Sequence, residues 1–77
     1  MKLYPNPTQG QFTLAVENTM LENATITVFN LVGQTISEQR ISGQSTMLDL
    51  TSQPQGMYFV RLRTEKQGEI TQKIQKF

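Results

Sequence analysis

The chain has 77 residues, no cysteine, no histidine and a formal net charge of +1. That length suffices for one domain, which at this size buries only about 60% of the surface its unfolded chain exposes, with no disulfide or thiolate metal ligand to reinforce it. The missing residue types also remove the commonest general base, the thiolate nucleophile and any Ser-His-Asp arrangement, and the charge is too small for nucleic acid.

In chain order, Leu3-Tyr4 reads as a short first strand. It leads into Tyr4-Pro5-Asn6-Pro7-Thr8-Gln9-Gly10. Two prolines there remove two backbone donors and bias their predecessors toward extended geometry, which excludes the segment from the centre of a sheet. It suits an edge, where missing donors discourage aggregation, or a docking segment for a partner. From Gln11 to Glu17, Phe12, Leu14 and Val16 share one face while Gln11, Thr13 and Glu17 share the other. Ala24, Ile26 and Val28 then alternate with Thr25 and Thr27 in a strand from Ala24 to Asn30. Further strands are predicted over Gln34–Ile41, with Ile36 its clearest apolar member, and over Thr46–Leu50, with Leu48 and Leu50 inward and Asp49 outward. The next strand has the strongest pattern: Tyr58, Val60 and Leu62 on one face, Arg61 and Arg63 on the other. A last strand from Glu69 to the end places Ile70 and Ile74 together.

Such period-two alternation, rich in β-branched and aromatic residues, signals strands. No segment keeps helical spacing over three turns. Six strands, or seven with the first, are predicted to form an all-β antiparallel β-sandwich whose two sheets pack their apolar faces together.

The turns carry their own chemistry. Asn30-Leu31-Val32-Gly33 places Asn first and Gly last in a type I turn, with Gly33 free to take positive φ at a bulge. Leu31 and Val32 occupy positions where polar residues are usual, so they either fold back onto the core or form an exposed contact. Gln53-Pro54-Gln55-Gly56 is read the same way, with Pro54 presetting φ. Ser42-Gly43-Gln44 and Lys66-Gln67-Gly68 are the other hairpin candidates.

No catalytic or cofactor chemistry emerges. Glu17, Glu22, Glu38, Asp49, Glu65 and Glu69 stand alone, without the short acidic spacing of a calcium loop. No glycine-rich loop opens a helix to cradle phosphate. Asn23-Ala24-Thr25 fits a glycosylation pattern and reads as the start of a strand. No apolar run approaches the roughly 18 residues of a membrane span. The stretch Met1-Lys2-Leu3-Tyr4-Pro5 lacks the apolar run of a secretory signal. If the parent protein is exported, its signal lies upstream and this chain is a piece of something longer.

Charge is unevenly placed. Up to Gly56, Lys2 and Arg40 face four acids, Glu17, Glu22, Glu38 and Asp49. From Met57 on, Arg61, Arg63, Lys66, Lys73 and Lys76 outnumber Glu65 and Glu69. The basic end is either a solvated face or a stripe that favours encounter with an acidic receptor.

Four motifs, in order, resemble the type A C-terminal sorting domain of the bacterial type IX secretion system. They are Leu3-Tyr4-Pro5-Asn6-Pro7-Thr8 with Gly10 and Phe12-Thr13-Leu14; Val28-Phe29-Asn30-Leu31-Val32-Gly33-Gln34; Asp49-Leu50-Thr51-Ser52 through Gly56-Met57-Tyr58-Phe59-Val60-Arg61-Leu62; and Gln72-Lys73-Ile74-Gln75-Lys76-Phe77. The long polar Ile41–Thr46 connection departs from the family pattern.

The resemblance implies an immunoglobulin-like sandwich attached to an upstream exported cargo in a Bacteroidetes-type bacterium. It implies as partners an outer-membrane translocon that reads the domain and a sortase-like peptidase that removes it. Localisation would be the periplasm in transit, then the cell surface or medium. The expected role is non-catalytic, without cofactor or metal. Recognition candidates are Tyr4, Pro5, Asn6, Pro7, Asn30, Gly33, Gly56, Tyr58, Arg61, Arg63, Lys73, Ile74, Lys76 and Phe77. Tyr58 also reads as core, and Gly33 and Gly56 as turn geometry. The terminal strand is the leading candidate, offered by strand addition if it lies at an edge. Deleting Gln72 to Phe77 is expected to stop export more completely than it unfolds the domain. The alternative function is a carbohydrate-binding or adhesion module, weakened by the absence of tryptophan.

Overall fold

A computed structural model describes residues 1–16, 23–41, 44–65 and 68–77. It contains seven strands: β1 (Lys2–Tyr4), β2 (Gln11–Ala15), β3 (Ala24–Asn30), β4 (Thr35–Ile41), β5 (Ser45–Asp49), β6 (Gly56–Thr64) and β7 (Gly68–Lys76). No helix occurs among the described residues. The strands form two antiparallel sheets, one ordered β1-β2-β5 and the other β4-β3-β6-β7. The pairings of β2 with β5 and β3 with β6 join strands distant in sequence, as Greek-key connections do.

Alternation explains why the two sheets meet. Phe12 and Leu14 of β2 and Leu48 of β5 point into the sandwich. From the other sheet come Ala24, Ile26 and Val28 of β3, Tyr58, Val60 and Leu62 of β6, and Ile74 of β7. Each fully buried Leu, Ile, Val or Phe contributes about 1.5–3 kcal/mol relative to exposure. Val16 and Leu50 extend this core past the strand ends, and Ile36 packs against it half-buried. The register of β3 against β4 shifts between Val28 and Phe29. Such a bulge inserts an extra residue into one strand and re-aims the side chains beyond it.

The β3–β4 turn forms as its residues dictate. Gly33 N donates to Asn30 O at 3.0 Å, and Asn30 N donates to Gln34 O at 3.0 Å. Gly33 has φ +87°. The Asn30 side chain completes the turn, its Oδ1 accepting from Val32 N at 3.1 Å and Gln34 N at 2.9 Å. Leu31 and Val32 do not fold back: they are 68% and 79% exposed. They stand at the tip of the hairpin, between the end of β3 and the start of β4, and border a surface hollow with Pro54 and Met57.

Between β5 and β6 the hydrogen-bonded turn lies three residues before the predicted one. Gln53 N donates to Leu50 O at 2.9 Å, so Thr51 and Ser52 are its central residues. Asp49 explains the shift, because its Oδ1 accepts from both Thr51 N (2.8 Å) and Thr51 Oγ1 (2.6 Å). Aspartate commonly initiates turns this way. The Ser42-Gly43 and Lys66-Gln67 parts of the other two predicted turns, and the carboxylates Glu17 and Glu22, lie outside the described residues.

Candidate functional site

The N-terminal proline segment and the C-terminal strand form one structure, joined by side-chain bonds that span 67 and 69 residues of sequence. β7 pairs with β6 on one side only, so its other backbone edge faces outward. Along the C-terminal half of that edge runs the segment after β1. Thr8 N donates to Gln75 O at 2.8 Å and Phe77 N donates to Thr8 O at 3.0 Å, a parallel bridge between Thr8 and β7.

Pro5 and Pro7 have no N–H to offer β7, and the Asn6 side chain supplies the pairing instead. Its Nδ2 donates to Lys73 O (3.1 Å) and its Oδ1 accepts from Gln75 N (3.2 Å). A carboxamide carries one donor group and one acceptor, as a peptide does, and here substitutes for one.

Thr8 anchors this strap. It is fully buried, and its Oγ1 donates to Gln11 O (2.7 Å) while accepting from Gly10 N (3.0 Å). Gly10 O accepts from Leu50 N at 2.8 Å, tying the strap's end to the residue after β5. Gly10 is required for contact: a Cβ there would collide with the side chain of Thr51. Phe77 is 54% exposed and, with Pro5, Pro7, Gln9, Gln11 and Thr51, lines a shallow hollow.

The predicted basic stripe divides by strand parity. Arg61 and Arg63 of β6 and Lys73 of β7 lie on the outer face of the four-stranded sheet, since their neighbours Val60, Leu62 and Ile74 point inward. Lys76 falls on the opposite parity and is half-buried, its Nζ donating to Gln53 O at 2.8 Å. It holds a turn.

The outer face also carries aromatic rings. Phe29 and Phe59 sit opposite each other on β3 and β6 and stack at 5.5 Å between centroids. The Arg61 guanidinium lies 5.5 Å from the Phe29 centroid, within cation–π range. Glu69 meets Arg63 at 2.6 Å and Arg61 at 3.9 Å. The hydrogen bond from Arg63, and then its charge, hold the Glu69 carboxyl below its ordinary range.

The remaining candidates are distributed elsewhere. Tyr58 is buried, and its Oη donates to Pro54 O at 2.6 Å, closing a tyrosine corner where the chain enters β6. Ile74 is fully buried, Tyr4 is 51% exposed, and Asn30, Gly33 and Gly56 stand at turns or strand starts. The structure therefore unites Pro5, Asn6 and Pro7 with Lys73 and Phe77, and separately places Arg61, Arg63 and Lys73 on one sheet face. Thr8, the anchor, is absent from the sequence-derived candidates. Its signal is a threonine two residues before a glycine, the spacing at which a hydroxyl bonds a backbone N–H within a turn.

Among the described residues no group of three or more Asp, Glu, His or Cys could hold a metal ion, and no helix is long and apolar enough to cross a membrane. Comparison with curated proteins gives no match. The family described as the secretion system C-terminal sorting domain matches residues 2–76, essentially the whole chain. That family acts as a sorting signal of type IX secretion, which implies interaction with the secretion machinery and export toward the cell surface or the extracellular space. With the N-terminal motif and all but Phe77 of the C-terminal one inside the matched span, and the two paired in the fold, the chain belongs to the family of secretion system C-terminal sorting domains.

Proposed function

We propose that this chain is the non-catalytic signal by which the type IX outer-membrane translocon selects an exported cargo carried upstream in the same polypeptide. The cargo crosses the periplasm, and a sortase-like peptidase removes the signal, so that cargo is released or surface-attached. One observation supports this reading above others: Asn6 and Thr8 bond the strand from Lys73 to Phe77, making the two terminal motifs one surface. A receptor reading that surface tests both ends of the domain at once, and so distinguishes folded from unfolded cargo tails.

The test is fusion of the chain to an inert periplasmic reporter in a type IX-competent host. The reporter is expected at the surface or in the medium. Its retention in the periplasm, with the fusion folded and intact, counts against the proposal. No observation favours a carbohydrate-binding module: the rings of Phe29 and Phe59 are stacked on each other, with Arg61 over the first.

A further inference from the structure

The strap covers only part of the β7 edge. The groups bonded by Asn6 and Thr8 belong to Lys73, Gln75 and Phe77, so alternate residues of β7 direct their backbone outward. By the same parity Glu69 and Thr71 do so too, and their backbone N–H and C=O groups have no partner among the described residues. Burial shows the same division. Ile74, beneath the strapped half, is fully buried, whereas Ile70, on the same inner side of the open half, is only half-buried.

Bare edges of this kind are templates for strand addition. The strap ends the template at Lys73 and thereby fixes the register of anything that adds. Side chains set the partner's chemistry. On the outer face of β6 and β7, the cations Arg61, Arg63 and Lys73 stand against one anion, Glu69, which Arg63 already engages. On the inner side, Ile70 has apolar surface still to bury.

We infer that the open edge of β7 from Glu69 to Lys73 is a docking edge for an extended strand of a partner protein, acidic on its outer positions and apolar on its inner ones. The inference rests on the export reading and names the contact by which the machinery would take hold of the domain. The added strand pairs with Glu69 and Thr71, places a carboxylate beside Lys73, and covers Ile70.

Two arms test it. In the first, amide exchange of the isolated chain is followed with a synthetic acidic peptide of alternating glutamate and valine. At a peptide concentration about nine times the dissociation constant, exchange is expected to slow about tenfold at Glu69 and Thr71, because only the unbound fraction exchanges. Unchanged exchange at millimolar peptide overturns the inference. So does protection that rises with protein concentration alone, which would mean a second copy occupies the edge.

In the second arm, Thr71→Pro, Thr71→Val and wild type are compared as reporter fusions. Proline removes an outward N–H that β6 does not use, so the β6–β7 ladder survives. Export is expected to fall about tenfold for Thr71→Pro and to hold for Thr71→Val. Should melting show that Thr71→Pro is unfolded, Glu69→Pro removes the equivalent donor. Wild-type export together with equal export of a folded proline variant overturns the docking edge and leaves the export reading standing. Loss of export in Thr71→Val also overturns it, by assigning the contact to the side chain. If even the wild-type fusion stays in the periplasm, the export reading fails and the peptide arm alone decides the edge.

Discussion

Thr8 shows how one hydroxyl can organise two chain ends. Its Oγ1 bonds Gly10 N and Gln11 O, and this fixes the backbone whose N–H and C=O pair with Gln75 and Phe77. Thr8→Val keeps the shape and deletes the hydroxyl, leaving Gly10 N, a buried donor, unpaired. The expected cost is about 1–3 kcal/mol, read as a lowered urea midpoint with an unchanged slope. A midpoint equal to wild type would mean the hydroxyl is dispensable. Tyr58 has two functions at one position: its ring fills the core, and its Oη bonds Pro54 O. That dual use makes Tyr58 both a core residue and the anchor of the segment entering β6.

At the scale of elements, strap and final strand depend on each other. Asn6→Ala removes the side-chain partner of Lys73 O and Gln75 N. Amide exchange at Gln75 is expected to quicken by about fivefold to tenfold, the equivalent of roughly 1 kcal/mol, while amides facing β6, such as that of Ile74, keep their protection. Equal acceleration at both would show that the strap supports the whole strand. Deletion of Gln72 to Phe77 separates function from folding less well than the sequence suggests. It removes Ile74, fully buried, and the strap's pairing partners, so unfolding is its expected result. Point substitutions at the edge are the cleaner probes. Proline chemistry places the proline segment at an edge, whereas the edge position of β7 is left open by the sequence and shown by the sheet order. The sequence does not show that the two share one edge, because their pairing joins residues with no local signal in common.

For the molecule as a whole, two carboxylates among the described residues couple stability to pH. Asp49 is held below its ordinary value by hydrogen bonds from the Thr51 side chain and backbone, and Glu69 by Arg63. A carboxyl with a lowered folded-state pKa stabilises above its unfolded value, here 3.8 for Asp and 4.5 for Glu. That stabilisation is lost as pH falls through the lowered values. The melting temperature is therefore expected to decline on acidification below those unfolded values, with a smaller decline for Asp49→Asn and for Glu69→Gln than for wild type. Both groups are exposed, so the effects are screened and modest. A profile identical to wild type in both variants would place the acid sensitivity elsewhere.

Alternation and turn chemistry, both local, are readable in the chain itself. The inner faces of β2, β3 and β6 are set by apolar residues two apart, and the β3–β4 turn by Asn30 and Gly33. Those signals act within a few residues, where sterics and side-chain hydrogen bonding decide geometry. Tertiary structure alone decided the exposure of Leu31 and Val32, the bonding of Lys76 to Gln53, and the partial covering of β7 by Asn6 and Thr8. Each depends on which distant strands are neighbours, and hydrophobic burial, which drives that assembly, is non-directional. It dictates that faces meet without specifying which edge is left open.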